Sequence, residues 1–161
     1  MKVFIKNKLL SLGGDSDVLN ENKEPIFKVK GKIFSFIKKK KLYNMQGELL
    51  YTIRNKFWNI FSNKVYIKNS QGDRVATIKK NKWSWNKNYK ILNTEDDLKI
   101  EGKFFSLESQ IIKNEQLVAT INRQFTIMTD AFSLEADEKD IAFYTAIVIA
   151  LDNIVDKRSK D

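Results

Sequence analysis

The chain has 161 residues and a net charge of +9, with no cysteine and no histidine. Absent thiols exclude disulfides, thiolate metal sites and cysteine nucleophiles, and absent imidazole removes the usual general base and zinc ligand. A single domain spanning 1–161 is expected, large enough to bury a core without covalent staples.

The charge is less telling than its size suggests. Only four of the 29 cationic residues are arginine (Arg54, Arg74, Arg123 and Arg158). Dedicated phosphate recognition favours the planar arginine fork, so a lysine surface imposed by genome composition competes with a functional one.

The first residues carry Lys2, Lys6 and Lys8 and never gather the apolar stretch of a secretion signal. A cytoplasmic protein is expected. Along 1–132, short runs alternate apolar and polar residues between Gly, Asn and Asp, which is the pattern of half-buried strands. Twelve strands are predicted: 3–5, 26–29, 33–36, 41–44, 49–54, 65–68, 75–79, 89–92, 98–101, 109–112, 117–122 and 125–129. Hairpin tips are predicted at Met45-Gln46-Gly47-Glu48, at 69–73 and at Lys113-Asn114-Glu115, where Gly and Asn tolerate left-handed backbone.

Internal similarity reinforces the hairpin reading. Phe27-Lys28-Val29-Lys30-Gly31-Lys32-Ile33-Phe34 recurs as Leu98-Lys99-Ile100-Glu101-Gly102-Lys103-Phe104-Phe105, the glycine marking a bulge or sharp bend. A second unit appears as Thr52-Ile53-Arg54, Thr77-Ile78-Lys79 and Thr120-Ile121-Asn122.

Beyond Phe132 the period changes. Asp137 is placed to cap a helix over 138–155 whose Ile141, Phe143, Ile147 and Leu151 belong to a circumference with almost no polar face. The apolar run is about half of the roughly 20 residues needed to span a bilayer. Strands of the same chain must therefore enclose it. The fold predicted is mainly β, a twelve-stranded antiparallel barrel around a buried C-terminal helix.

These residues are similar to the LURP-one-related family, whose fold is the tubby C-terminal-like barrel. The similarity lies in Lys6-Asn7-Lys8-Leu9-Leu10-Ser11-Leu12-Gly13, Val29-Lys30-Gly31-Lys32-Ile33-Phe34-Ser35, Val75-Ala76-Thr77-Ile78-Lys79-Lys80 and Ala146-Ile147-Val148-Ile149-Ala150-Leu151-Asp152. The resemblance implies a barrel threaded by a helix and, by analogy with tubby-like proteins, phosphoinositide binding without enzymatic activity. No ligand residue of those proteins maps onto a position here.

Candidate ligand residues come from charge and aromatic patterning. Lys38, Lys39, Lys40 and Lys41 form the densest cationic run, suited to anionic headgroups or, more simply, to a solvated edge. Lys79, Lys80, Lys82, Trp83 and Trp85 interleave cations with indoles, and Arg54 and Lys56 precede Trp58 in the same way. Such a set fits a membrane interface, the stacking of nucleic-acid bases, or plain core packing.

The acidic turns Asp15/Asp17 and Glu95-Asp96-Asp97 lack the ligand spacing of a calcium loop, and Gly13-Gly14-Asp15 lacks that of a phosphate loop. No metal or cofactor is expected. The favoured reading is a monomeric binding module for anionic phospholipid, peripheral to a membrane. Nucleic-acid binding and a protein-interaction scaffold are the alternatives, and an even spread of lysines around the barrel would favour the scaffold.

Overall fold

The computed structural model describes residues 1–6, 15–31, 39–55, 64–80, 89–92, 94–102, 108–125 and 130–155. Twelve antiparallel strands close a barrel: β1 (Lys2–Lys6), β2 (Ser16–Asn20), β3 (Pro25–Gly31), β4 (Lys40–Asn44), β5 (Leu49–Asn55), β6 (Lys64–Lys68), β7 (Arg74–Lys80), β8 (Tyr89–Leu92), β9 (Leu98–Gly102), β10 (Glu108–Lys113), β11 (Gln116–Phe125) and β12 (Asp130–Ala136). Each strand pairs with its chain neighbour, and β1 pairs with β12 to close the ring, Val3 opposite Leu134 and Ile5 opposite Phe132.

Alternation decides which side chains line the interior. Ile53, Ile67, Ile78 and Ile111 are fully buried, while Lys90 and Lys99 point outward between buried neighbours. Equivalent positions of the Thr-Ile-basic unit agree, since Ile53, Ile78 and Ile121 all reach the core from β5, β7 and β11.

The interior is filled by α1 (Ile141–Val155), which follows a single 3₁₀ turn at Glu138–Asp140. Ala146, Ile147, Val148, Ile149, Ala150 and Leu151 are 0% exposed. An apolar circumference that would be insoluble alone is thus covered by β5, β6, β7 and β12, as the sequence requires. Phe143 departs from this. It packs only its inner side on the core, because it sits at the mouth where α1 leaves the 3₁₀ turn.

Three hairpin tips share one construction. Asn20, Asn44 and Asn69 each accept, through Oδ1, the backbone N–H four residues on (Glu24, Glu48, Asp73; 2.8–2.9 Å), and each donates Nδ2 to that residue's carboxylate. The residue just before the acid has left-handed backbone: Lys23 (φ 64°), Gly47 (φ 84°) and Gly72 (φ 94°). Register shifts beside these tips complete a turn-plus-bulge hairpin. Lys23 occupies a place where its two counterparts are glycine. Lys23→Gly is therefore expected to raise the unfolding free energy by about 0.5–1 kcal/mol, read from urea midpoints, since a side chain resists φ near +60°.

Several expectations shift. β2 and β12 were not among the predicted strands, while 33–36 and 126–129 lie outside the described residues. The Asp137 side chain makes no capping hydrogen bond, and the α-helix begins at Ile141 rather than near 138, the intervening residues forming the tighter turn.

Candidate functional site

Among the described residues, the outer wall of the barrel and a cavity at the helix mouth both offer surfaces to a partner. On the wall, strands β3–β8 carry no acidic residue at all, whereas β9–β12 contribute Glu101, Glu108, Asp130 and Glu135. The asymmetry lies in the acids, since lysines occur on β1, β3, β4, β6, β7, β8, β9 and β10.

Register sharpens the asymmetry. Lys64 lies opposite Lys79, Lys79 opposite Lys90 and Lys90 opposite Lys99, so four lysines stand side by side across β6–β9. At about 4.8 Å per strand the row spans roughly 14 Å. Like charges placed directly opposite repel, and each such pair weakens a sheet. Among the described residues only Lys99 of the four has a carboxylate within ion-pair reach, Asp97 at 3.4 Å. Elsewhere on the wall both kinds of pair occur: Asp17 opposite Lys28 and Lys2 opposite Glu135 are complementary, while Lys30 opposite Lys41 and Lys68 opposite Arg74 are alike in sign.

Of the residues singled out by sequence, Lys79 is in this row, while Lys80 ends β7 opposite Tyr89. Arg54 faces outward on β5 opposite Tyr66. Lys41 lies opposite Lys30, whose ammonium sits 5.5 Å from the Tyr43 ring centre. Lys39 is half-buried just before β4. Lys40 is a correction: alternation with Leu42 turns it into the barrel, where it is 4% exposed, so it cannot serve an exterior headgroup surface. Lys38, Lys56, Lys82, Trp83 and Trp85 lie outside the described residues.

The second feature went unread in the sequence. A cavity of about 480 Å³ opens where α1 enters the barrel, floored by Tyr51, Val75, Leu98, Phe143 and Tyr144 and rimmed by Arg74, Glu95, Lys139 and Asp140. The Phe143 ring lies 5.8 Å from both the Tyr51 and the Tyr144 centroids, tilted 50° and 45° to them. One wall is an ion pair, Lys113 Nζ to Asp96 Oδ2 at 2.7 Å. Asn114 ties this wall to the β8–β9 turn: its Nδ2 donates to Asp96 Oδ1 (3.0 Å) and its Oδ1 accepts the Asp97 N–H (3.1 Å).

Titration follows from these contacts. Hydrogen bonds from Lys113 and Asn114 hold the Asp96 carboxyl below its ordinary range, and the bond to Asp96 lifts Lys113. Burial raises both Tyr51 and Tyr144, and the Asp140 carboxylate raises them further. A phenol whose folded value exceeds its unfolded one stabilises fully below the unfolded value and loses that contribution as pH climbs through the folded one. The protein is accordingly expected to weaken in urea above about pH 10, and less so as Tyr51→Phe. Absorbance near 295 nm should show Tyr51 and Tyr144 ionising above the ordinary phenol range of about pH 10, and ionisation of both within that range would contradict this.

Comparison with known proteins turns on the whole chain rather than on either feature, because the family model for LURP-one-related proteins matches residues 1–152. The chain belongs to the LURP-one-related family. Among relatives of this LURP-one-related chain is the "Uncharacterized protein YxjI" of Bacillus subtilis (strain 168), 24% identical over 156 residues, which cover 96% of this chain and 94% of the relative. An X-ray structure of a protein from Arabidopsis thaliana superposes with a TM-score of 0.68 at 19% identity, covering 96% of this chain and 91% of that one. At that identity the likeness speaks for the fold alone. Among the described residues of this LURP-one-related barrel, no helix is long and apolar enough to cross a membrane.

Proposed function

We propose that this chain is a non-catalytic, tubby-like binding module that engages anionic phospholipid headgroups at a membrane surface, working as a cytoplasmic monomer. The observation that carries the reading is the row Lys64, Lys79, Lys90 and Lys99, aligned across β6–β9 at a cost to the sheet that an external anion would relieve. Its setting favours a membrane over nucleic acid. The row lies on a convex wall, its cations are lysine point charges rather than bidentate arginine forks, and Leu92, two residues from Lys90, leaves 43% of its surface exposed beside them.

Each lysine near an anionic surface contributes about 1 kcal/mol, so replacing all four by glutamine is expected to lower partitioning onto anionic vesicles by a factor on the order of several hundred. Co-sedimentation with phosphatidylcholine vesicles, with and without phosphatidylserine or a phosphoinositide, measures this. Binding should fall as salt rises. The glutamine variant should also resist urea at least as well as the parent, because the repulsion is gone. Equal and negligible sedimentation with both vesicle types in low salt ends the lipid reading, and tight binding to an oligonucleotide without vesicle binding replaces it.

A further inference from the structure

The cavity at the helix mouth has no part in the lipid reading, since the lysine row lies on the outer wall and the cavity opens at the barrel's hairpin end. We propose that it binds a small organic ammonium ion, held among the rings of Tyr51, Phe143 and Tyr144 against the carboxylate of Asp140.

The cavity is a preformed hollow with three aromatic rings and a half-buried carboxylate in its lining. A cavity of about 480 Å³ is within the range of small-molecule sites. The charged residues of its lining balance, Arg74, Lys113 and Lys139 against Glu95, Asp96 and Asp140; Lys113 is paired with Asp96 at 2.7 Å, and the Arg74 guanidinium stacks 4.2 Å over Tyr66. Lys139 and Glu95 are both exposed at the rim and opposite in sign. Asp140 remains, half-buried, with no ion pair to its carboxylate among the described residues.

That carboxylate bears on two of the three rings, since it lifts the titration of both Tyr51 and Tyr144. The start of α1 contributes only about half a positive charge, which one carboxylate outweighs. Three rings tilted to one another line the cavity, and aromatic faces attract alkylammonium groups while rejecting compact hydrated anions. A half-buried carboxylate without an ion pair among the described residues and an aromatic lining thus select the same kind of ligand: a cation with an apolar skin.

Choline and its uncharged isostere 3,3-dimethylbutan-1-ol make the test direct. Titrated into the full chain and followed by amide chemical shifts, choline is expected to saturate and to move residues 140–144, with the neutral isostere about tenfold weaker or worse. Asp140→Asn should weaken choline by about tenfold and leave the isostere unchanged. Phe143→Leu, which keeps apolar bulk but removes a ring, should weaken choline alone and guards against misfolding of the first variant. Equal affinity for the two probes, no saturation at concentrations on the order of 10 mM, or an Asp140→Asn variant that binds choline like the parent would each overturn the proposal. The lysine row is read separately, as the salt-sensitive gain in vesicle binding that anionic lipid adds over phosphatidylcholine alone, because both vesicle types carry the choline headgroup.

Discussion

Ile147→Ala is expected to lower the unfolding free energy by about 2–5 kcal/mol, the range for truncating a large aliphatic side chain in a packed core. Ile147 is 0% exposed at the middle of α1, with Ala146 and Val148 equally covered, so relaxation of neighbours can recover little of the lost contact. Ile147→Asp should fail to fold at all, because a carboxylate there would be buried away from water among aliphatic side chains. Met45→Ala at an exposed hairpin tip, 40% exposed, serves as the control and should leave the urea midpoint unchanged. A loss below about 1 kcal/mol at Ile147 would mean that the wall does not grip the helix.

The second large effect concerns Gly102. Its φ is +93°, and a β-carbon there would lie 2.9 Å from the Glu108 backbone oxygen and 3.1 Å from the Ser109 α-carbon. Neither obstacle can rotate away, since both belong to the backbone of the paired strand β10. Gly102→Ala therefore combines a strained dihedral with a clash, and a cost of about 2–4 kcal/mol is expected. Gly47→Ala separates the two contributions. Gly47 has φ +84° with nothing within 4 Å of the new carbon, so only the dihedral cost of about 1–2 kcal/mol applies. Equal midpoints for the two variants would show that β9 and β10 can part without penalty.

Much of this architecture was legible because it is local. Alternation in Leu49–Asn55 and Lys64–Lys68, the tips at Gly47 and Gly72, and the apolar circumference of α1 are each set by residues within a few positions of one another. Where signals conflict, the reading failed. β2 reads Ser-Asp-Val-Leu-Asn, with one buried side chain among polar ones, and β12 is interrupted by Ser133 and Glu135. Both strands exist because neighbours supply their hydrogen bonds, which no local pattern announces.

Charge misled in the opposite direction. Lys40 looks like one member of a solvated run, yet the pleat that places Leu42 in the core places Lys40 there too. The lysine row could not be seen before the register was known, since Lys64, Lys79, Lys90 and Lys99 meet only through three successive strand pairings. Of the four, Lys79 alone lies in a run that charge and aromatic patterning single out. The cavity is likewise non-local: Tyr51 comes from β5 and Asp140 from the turn before α1. Tyr144 as a phenol within an aliphatic helix was the one available clue, because a buried hydroxyl prefers a polar edge.

Closure of the ring by β1 against β12 has a consequence for biosynthesis. Val3 must wait for Leu134, and the plug formed by α1 is made later still, so a nascent chain spends most of its translation as an open, curling ribbon with its greasy face uncovered. Zipping the seam and seating the plug are both long-range events, which slow folding and prolong exposure to other unfinished chains. Chaperone dependence during synthesis, followed by marked resistance to unfolding once the last turns are in place, is the behaviour this topology imposes.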